Sequence, residues 1–118
     1  MAAGEVKLRT ARPDDAPAMA AVDRQSWPTA MATGADGFRC RIAAFSEGQL
    51  VAETDGRIVG SAGAQRITRQ FFAANSHSYD LVTDANRFTA SHTPDGELYQ
   101  LIGVGVLPAF RGSRLGRQ

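Results

Sequence analysis

The carboxy-terminal segment contains the residues best suited to chemistry. Arg111-Gly-Ser-Arg-Leu-Gly116 brings two guanidinium groups and two glycines together. Arginine matches phosphate oxygens with bidentate hydrogen bonds, and glycine lets the main chain approach an anion because it has no Cβ. If the segment opens a helix, the N–H groups of the first turn also favour negative charge. It therefore predicts a phosphate or diphosphate site, and the alternative is a plain glycine-bearing turn.

A strand must position this loop. The apolar, β-branched run from Leu98 to Val106 predicts a buried strand. Pro108 ends it, because proline cannot donate a ladder hydrogen bond. Thr93-Pro-Asp-Gly96 predicts the turn that leads into the strand.

The strand, the Val106-Leu-Pro108 step and the arginine-rich loop together resemble the acyl-CoA-binding motif of the GNAT superfamily of N-acetyltransferases. The family motif reads (Gln/Arg)-x-x-Gly-x-(Gly/Ala), and an arginine stands here at its middle glycine. The motif positions are Arg111, Gly112, Ser113, Arg114, Leu115 and Gly116.

The resemblance implies an N-acetyltransferase that moves an acetyl or other acyl group from acetyl-CoA, or another acyl-CoA, to the amine of a small molecule or peptide. It implies that residues 111–116 hold the diphosphate. The main chain from Val104 to Val106 would pair with the pantetheine arm as an added strand does. The N–H near Val106 would polarise the thioester carbonyl.

The catalytic base is not identified by the sequence. Several family members use a carboxylate on this strand, and the matching position is Gln100, which cannot titrate. Glu97 at the strand entrance is one candidate, acting through water, and His92 is the other, because histidine titrates near neutral pH. Each competes with a simpler interpretation as a surface or turn residue, as does His77.

Short-range periodicity predicts the elements that precede the strand. Asp55-Gly56 lies between two apolar runs and is the strongest short hairpin signal. Residues 67–96 show no clean period and predict a functional or partly helical insertion. The predicted elements are strands 6–10, 49–54 and 57–64 and helices 16–25 and 38–45.

Details of the two helices are also predicted. Trp27 follows the first helix and is either a core aromatic or the wall of a substrate tunnel. Asp36 is expected to cap the second helix, and Gly48 to adopt the left-handed conformation after it. Arg39 and Arg41 are expected to point away from its apolar face.

The resemblance implies a single α+β domain over residues 1–118, of the three-layer GNAT type. Its central sheet is mixed and mostly antiparallel, with helices on both faces. Because GNAT domains continue past the phosphate loop, the sequence predicts a domain truncated after that loop, with its C-terminal half missing. An unpaired apolar strand edge would then favour pairing with a second chain, as in a homodimer.

Composition narrows the function classes. A net charge of +1, with Lys7 the only lysine, gives little support to nucleic-acid binding. No apolar run reaches the ~20 residues of a membrane span, so we expect a cytoplasmic protein without a membrane partner. The single Cys40 excludes an intrachain disulfide, and the two histidines lack the neighbouring ligands that a metal site needs.

Two further hypotheses stay open. The run Tyr99-Gln-Leu-Ile-Gly-Val-Gly-Val106 and the insertion before it also look similar to GNAT-like domains of polyketide synthase loading modules. Those domains decarboxylate malonyl-CoA or load acyl groups onto a carrier protein, and the amide at Gln100 fits a substrate that is not an amine. The third hypothesis is a degenerate, non-catalytic CoA-binding module.

Overall fold

The computed structural model describes residues 5–28 and 32–110, and these form an α+β fold. Between the regular elements lie short 3-10 turns at Pro13–Asp15, Ser46–Gly48 and Pro108–Phe110. The strands are β1 (Lys7–Thr10), β2 (Gln49–Thr54), β3 (Arg57–Ile67) and β4 (Leu98–Val106), and the helices are α1 (Ala16–Ser26), α2 (Ala35–Ala44), α3 (Arg69–Asn75) and α4 (Tyr79–Thr83). None of the helices in the described ranges is both long and apolar enough to cross a bilayer.

The four strands form one sheet in the order β1-β2-β3-β4, and every neighbouring pair is antiparallel. This confirms the mostly antiparallel sheet of the predicted fold class. Asp55 and Gly56 adopt positive φ angles of 52° and 75° between β2 and β3. Two such residues make the turn that matches the twist of paired strands, so the hairpin prediction is confirmed.

Helices α1 and α2 pack on one face of the sheet. Their apolar residues repeat at helical spacing and meet side chains of β2 and β3, which is how an amphipathic helix buries its stripe. One cluster of buried residues comprises Ala11, Ala16, Met19, Ala20, Phe38, Ile42 and Val51. A second comprises Val22, Ala52, Val59 and Leu107.

The opposite face of the sheet exposes apolar side chains. Leu8, Leu50 and Val104 have 55%, 38% and 54% of their surface accessible. The cross-strand register places Leu50 and Val104 on either side of Ala62, so part of this surface is a continuous row. Helices on this second face stay a prediction.

Three details of α2 differ from the sequence-based expectation. Gly34, not Asp36, is the N-cap, and the Asp36 carboxylate pairs with Arg39 in the first turn at 2.7 Å. Gly48 does not adopt a left-handed conformation. It is glycine because a Cβ there would lie 2.4 Å from the Phe45 ring. Arg41 is buried, not turned away.

The insertion between β3 and β4 is partly helical, as predicted. Thr68 caps α3 by accepting a hydrogen bond from the Phe71 N–H at 3.0 Å, and Ser78 caps α4 in the same way. These are the usual side chains for a helix start. The loop after α4 brings its residues back against α2 and β3.

Candidate functional site

The predicted diphosphate loop, Arg111 to Gly116, lies outside the described residues. Strand β4, which leads to it, is described in full. The strand forms as predicted, but the prediction that it is buried is wrong, because β4 lies at the edge of the described sheet and Gly105 is its one buried residue. Val104 is exposed and Val106 is half-buried. The roles assigned to both residues therefore stay predictions, but the strand that would carry them is present.

The main chain of β4 has a defined polarity at this point. The Leu107 N–H donates to the Val59 carbonyl at 2.9 Å, and Gly105 is paired with Ser61. In an antiparallel pair the hydrogen-bonded positions alternate along the strand. The N–H and C=O of Val104 are therefore directed away from β3, toward the other edge of β4. This edge presents the donor and acceptor that a ligand with amide groups needs to add itself as a strand.

A β-bulge lies two residues before Val104. Gly63 pairs with Gly103 and Ala64 pairs with Leu101, so Ile102 is the extra residue on β4. Bulges bend a strand and are common beside active sites. Here the bulge lies where three glycines of β3 and β4 leave space above the sheet.

A small pocket, about 40 Å³ in volume, lies on these glycines under α1, α2 and α4. Ser61, Gly63, Gly103 and Gly105 form its floor, with Ile102 beside them, and Asp23, Trp27, Thr33, Phe38, Arg41 and Tyr79 form its walls. Trp27 is 37% exposed, which agrees with the tunnel-wall alternative better than with a core aromatic. Within residues 5–28 and 32–110, no atom lies within 4 Å of the position that a Cβ on Gly103 would occupy.

Two opposite charges are buried in the pocket walls. Arg41 is 4% exposed and Asp23 is 8% exposed. Burial raises the pKa of the Asp23 carboxyl and lowers the pKa of the Arg41 guanidinium, since a low-dielectric surrounding disfavours either charged form. Asp23 accepts a hydrogen bond of 2.5 Å from the Thr33 N–H. This bond holds Thr33, which lies just before α2, against α1.

The two sequence-predicted base candidates do not line this pocket. Glu97 is exposed, and its carboxylate accepts a hydrogen bond from the Arg69 N–H at the start of α3. That hydrogen bond lowers the pKa of Glu97, which makes the carboxylate a weaker base. Its geometry is that of a group that stabilises a helix end.

His92 is engaged in the loop before β4. Its Nδ1 accepts a hydrogen bond of 3.0 Å from the Arg66 N–H, and its ring stacks on Phe45 with the centroids 4.4 Å apart. Burial lowers the pKa of His92, and the positive charge of Arg66 lowers it further. Both contacts hold the neutral ring against β3 and against Phe45, the residue that follows α2. The base role stays a prediction for Glu97 and for His92.

Gln100 belongs to a chain of neutral hydrogen bonds. Gln65 donates from Nε2 to Gln100 Oε1 at 2.9 Å and to the Val82 carbonyl at 2.7 Å. The Ser91 hydroxyl donates to Gln65 Oε1 at 2.5 Å. Gln65 and Ser91 are almost fully buried. Gln100, for which the family resemblance implies the base position of several GNAT members, is therefore part of a neutral network that fixes α4 and the loop after it to the sheet.

Sequence reasoning missed Arg41 as a pocket residue. Positions 38, 41, 42 and 45 follow the i, i+3, i+4, i+7 spacing of one helix face, and Phe38 and Ile42 are buried. This periodicity was the available signal, because it places Arg41 between two core residues. Asp23, one turn before Trp27 on α1, carried no comparable signal. The described part of the chain contains no group of three metal-ligating side chains.

Comparisons with known proteins agree with this fold. A family model described as "Acetyltransferase (GNAT) family" matches residues 16–118. No curated protein matches the chain. Among the solved structures that are similar to it are the three described next, and the chain spans between 53% and 62% of their own length.

The structure titled "GphF GNAT-like decarboxylase in complex with isobutyryl-CoA" aligns with a TM-score of 0.79 and 29% identity, over 94% of this chain and 53% of its own. The loading GNATL domain of CurA from Lyngbya majuscula aligns with a TM-score of 0.76 and 23% identity, over 97% of this chain and 54% of its own. A GNAT family acetyltransferase from Brucella melitensis in complex with acetyl-CoA aligns with a TM-score of 0.55 and 20% identity, over 96% of this chain and 62% of its own.

Proposed function

Because the chain belongs to the acetyltransferase (GNAT) family, we propose that it binds an acyl-CoA and acts on the acyl thioester. The exposed edge of β4 at Val104 fits the amide groups of the pantetheine arm. The loop from Arg111 to Gly116 is proposed to hold the diphosphate. The cofactor would supply an activated acyl carbon, and the chain would hold that carbon beside the pocket on the glycines of β3 and β4.

Within the family, we propose the chemistry of the GNAT-like loading domains: loss of CO2 from a carboxyacyl-CoA, or transfer of an acyl group to the thiol of a carrier. The observation that carries this proposal is the neutral network at Gln100, because an amine acceptor needs a base and this position cannot provide one. The alignment with the GNAT-like decarboxylase at 29% identity supports it.

The test is a mass balance on two substrates. The protein is incubated with malonyl-CoA, and CO2 and acetyl-CoA are measured; a carrier protein bearing a phosphopantetheine thiol is added in a second arm. We expect CO2 release or acylation of the carrier in the absence of any amine. Release of CoA from acetyl-CoA that requires an amine would contradict the proposal and favour N-acetyl transfer, the second candidate, which the family description supports.

Cofactor binding is tested separately by calorimetry. Gly112→Val should abolish CoA binding without unfolding the chain, since the side chain fills space that a phosphate needs. Arg111→Ala should weaken CoA binding more than it weakens binding of a pantetheine analogue that lacks the diphosphate. Undiminished CoA affinity in Gly112→Val would rule out the loop as the diphosphate site. CoA binding with neither activity would favour the non-catalytic module.

A further inference from the structure

The guanidinium of Arg41 is a buried cation surrounded by neutral acceptors. Its Nε donates to the Asn86 carbonyl at 2.6 Å, and its Nη2 donates to Asn86 Oδ1 at 2.9 Å and to Thr33 Oγ1 at 3.2 Å. Within residues 5–28 and 32–110, no carboxylate lies within 4 Å of it. Asp23 acts on it only at longer range. Burying a charge without an ion-pair partner costs free energy, so this position favours the arrival of an anion.

The orientation of the guanidinium is fixed from both sides. Its central carbon lies 4.3 Å from the centre of the Phe88 ring and 5.2 Å from that of Phe38. These distances are within the range of cation–π contacts. The planar group cannot rotate away from the pocket without breaking its bonds to Asn86. The sequence thus supplies a rigid, directed donor and not a flexible surface arginine.

The loop that holds Arg41 is locally strained. Asp84, Ala85, Asn86 and Phe88 have φ angles of 50°, 53°, 70° and 64°, and none of them is glycine. The left-handed region costs an ordinary residue about 1–2 kcal/mol, and such strain is concentrated at functional sites. Here it places the Asn86 carbonyl, the Asn86 amide and the Phe88 ring against one guanidinium.

Tyr79 also interacts with the guanidinium of Arg41, and the Nη1 of Arg41 lies at the pocket floor. Its Nη1 lies 3.1 Å from the position that a Cβ on Gly63 would occupy. Gln49 Oε1, which has no hydrogen-bond partner among the described residues, lies 2.9 Å from the same position. A residue larger than glycine would displace both groups. Gly63 therefore permits a donor to reach the sheet at the pocket.

The pocket has the size of a small polar group. At about 40 Å³ it has room for about three water-sized atoms, if one needs roughly 10–15 Å³. A carboxylate has three heavy atoms. The pocket also borders Gly103, where no atom of the described residues fills the space above β4, so a longer substrate could enter there.

We propose that Arg41 forms a binding site for the carboxylate group of a substrate, in the pocket between α2 and the glycines of β3 and β4. This proposal rests on the proposed acyl-CoA chemistry for its biological use, but not for the binding itself. The carboxylate has two possible sources: the far end of a carboxyacyl chain on CoA, or the acyl acceptor. Arg41 acts in binding and selects the substrate; it takes no part in bond making.

The first experiment needs no variant. Malonate is titrated into ¹⁵N-labelled protein while the Nε–H resonance of Arg41 is followed, and malonamide, the neutral analogue of the same shape, serves as the matched ligand. We expect a saturable shift with malonate and none with malonamide. A resonance that malonate does not move, or that both ligands move equally, would overturn the proposal.

The second experiment compares Arg41→Gln with Arg39→Gln. Arg39 is on the same helix, but its side chain is 50% exposed and pairs with Asp36. Arg41→Gln should weaken malonate binding by at least about tenfold, as expected for the loss of a charge-assisted hydrogen bond, and Arg39→Gln should leave it unchanged. Equal binding to both folded variants would contradict the proposal. If Arg41→Gln does not fold, the titration of the unaltered protein still decides.

The third experiment identifies the source of the carboxylate. If it belongs to the acyl chain, Arg41→Gln raises KM for malonyl-CoA or succinyl-CoA at least about tenfold, with little change in kcat and none for acetyl-CoA. If it belongs to the acceptor, the variant removes the preference for an amino acid over its amide. The carboxylate site would be overturned if Arg41→Gln changed neither the KM for malonyl-CoA or succinyl-CoA nor the preference for an amino acid over its amide. Malonate binding without any turnover of acyl-CoA would refute only the proposed function.

Discussion

Substitutions at Asn86 distinguish two contributions to stability: the strain of the left-handed backbone and the hydrogen bond from Arg41 to the Asn86 side chain. Asn86→Gly keeps the left-handed conformation but removes Oδ1, which accepts from Arg41 Nη2 at 2.9 Å and from the Tyr79 hydroxyl at 2.6 Å. Tyr79 is 41% exposed, so its hydroxyl can bond water instead. The guanidinium is buried and loses a hydrogen bond worth about 1.5–3 kcal/mol.

The magnitudes follow from these terms. Asn86→Gly also gives the unfolded chain extra freedom, worth about 0.5–1 kcal/mol, so we expect the free energy of unfolding to fall by about 2–4 kcal/mol. Asn86→Ala loses the same hydrogen bond and adds the left-handed penalty of about 1–2 kcal/mol. Alanine should therefore be the more damaging substitution, by about 0.5–1 kcal/mol.

The matched control is Ala85→Gly. Ala85 has a φ of 53° and an exposed side chain, so glycine relieves strain without removing a side-chain contact. We expect this variant to be about 0.5–1 kcal/mol more stable.

The assay is urea unfolding followed by circular dichroism, with the slope m compared between variants. With m near 1–1.5 kcal/mol/M for a domain of this size, Asn86→Gly should lower the midpoint by about 2 M. An Asn86→Gly midpoint unchanged within error, or an Ala85→Gly variant that is less stable, would refute the reasoning.

Other substitutions test the remaining contacts. Gly96→Ala should lower the free energy of unfolding by about 1–3 kcal/mol or more, because the new Cβ would lie 2.6 Å from the main chain of β3. Gly103→Ala should be near neutral in the same unfolding assay, because no described atom lies within 4 Å of its Cβ position. His92 has a folded pKa below its ordinary value, so the stability it contributes is present above about pH 6.5 and is lost as the pH falls below that value. When the free energy of unfolding is measured between pH 7.5 and 5, the part of its pH dependence that comes from His92 should be absent in His92→Gln. Asp15 has a pKa lowered first by its bidentate pair with Arg9, so its contribution is fully present above about pH 4 and decreases as the pH falls toward the lowered pKa. Asp15→Asn should cost about 1.5–3 kcal/mol of unfolding free energy at pH 7 and progressively less as the pH falls below about 4. A cost that does not change with pH would contradict the ion pair.

Local patterns made much of the fold predictable. The Asp55-Gly56 turn, the apolar spacing of α1 and the run that forms β4 each depend on interactions within a few residues, so the sequence carries them directly. The candidate site was harder to predict from the sequence. Arg41 was expected to face solvent because a charged side chain usually does. Its burial is made tolerable by contacts distant in sequence, above all those with Asn86, 45 residues later, together with the Thr33 hydroxyl and the Phe88 ring.

The left-handed φ angles of Asp84, Ala85, Asn86 and Phe88 were not predictable from local rules. Glycine is the residue that adopts such φ angles most readily, and this segment contains no glycine. Tertiary contacts impose them: the Phe88 ring is fully buried, and Asn86 is held by Arg41 and by the Thr83 hydroxyl. Gly48 shows the converse case, since it was assigned by its place after a helix but is required by the Phe45 ring.

The order of the strands has a consequence for the folding pathway. β2 and β3 meet across a two-residue turn, so their hairpin can form in microseconds. β4 is separated from β3 by about thirty residues, and closing a loop of that length costs conformational entropy. We therefore expect the hairpin and α1 to constitute the nucleus. The contact between Arg41 and Asn86 would form only after the barrier, so losing it should accelerate unfolding and leave the refolding rate almost unchanged.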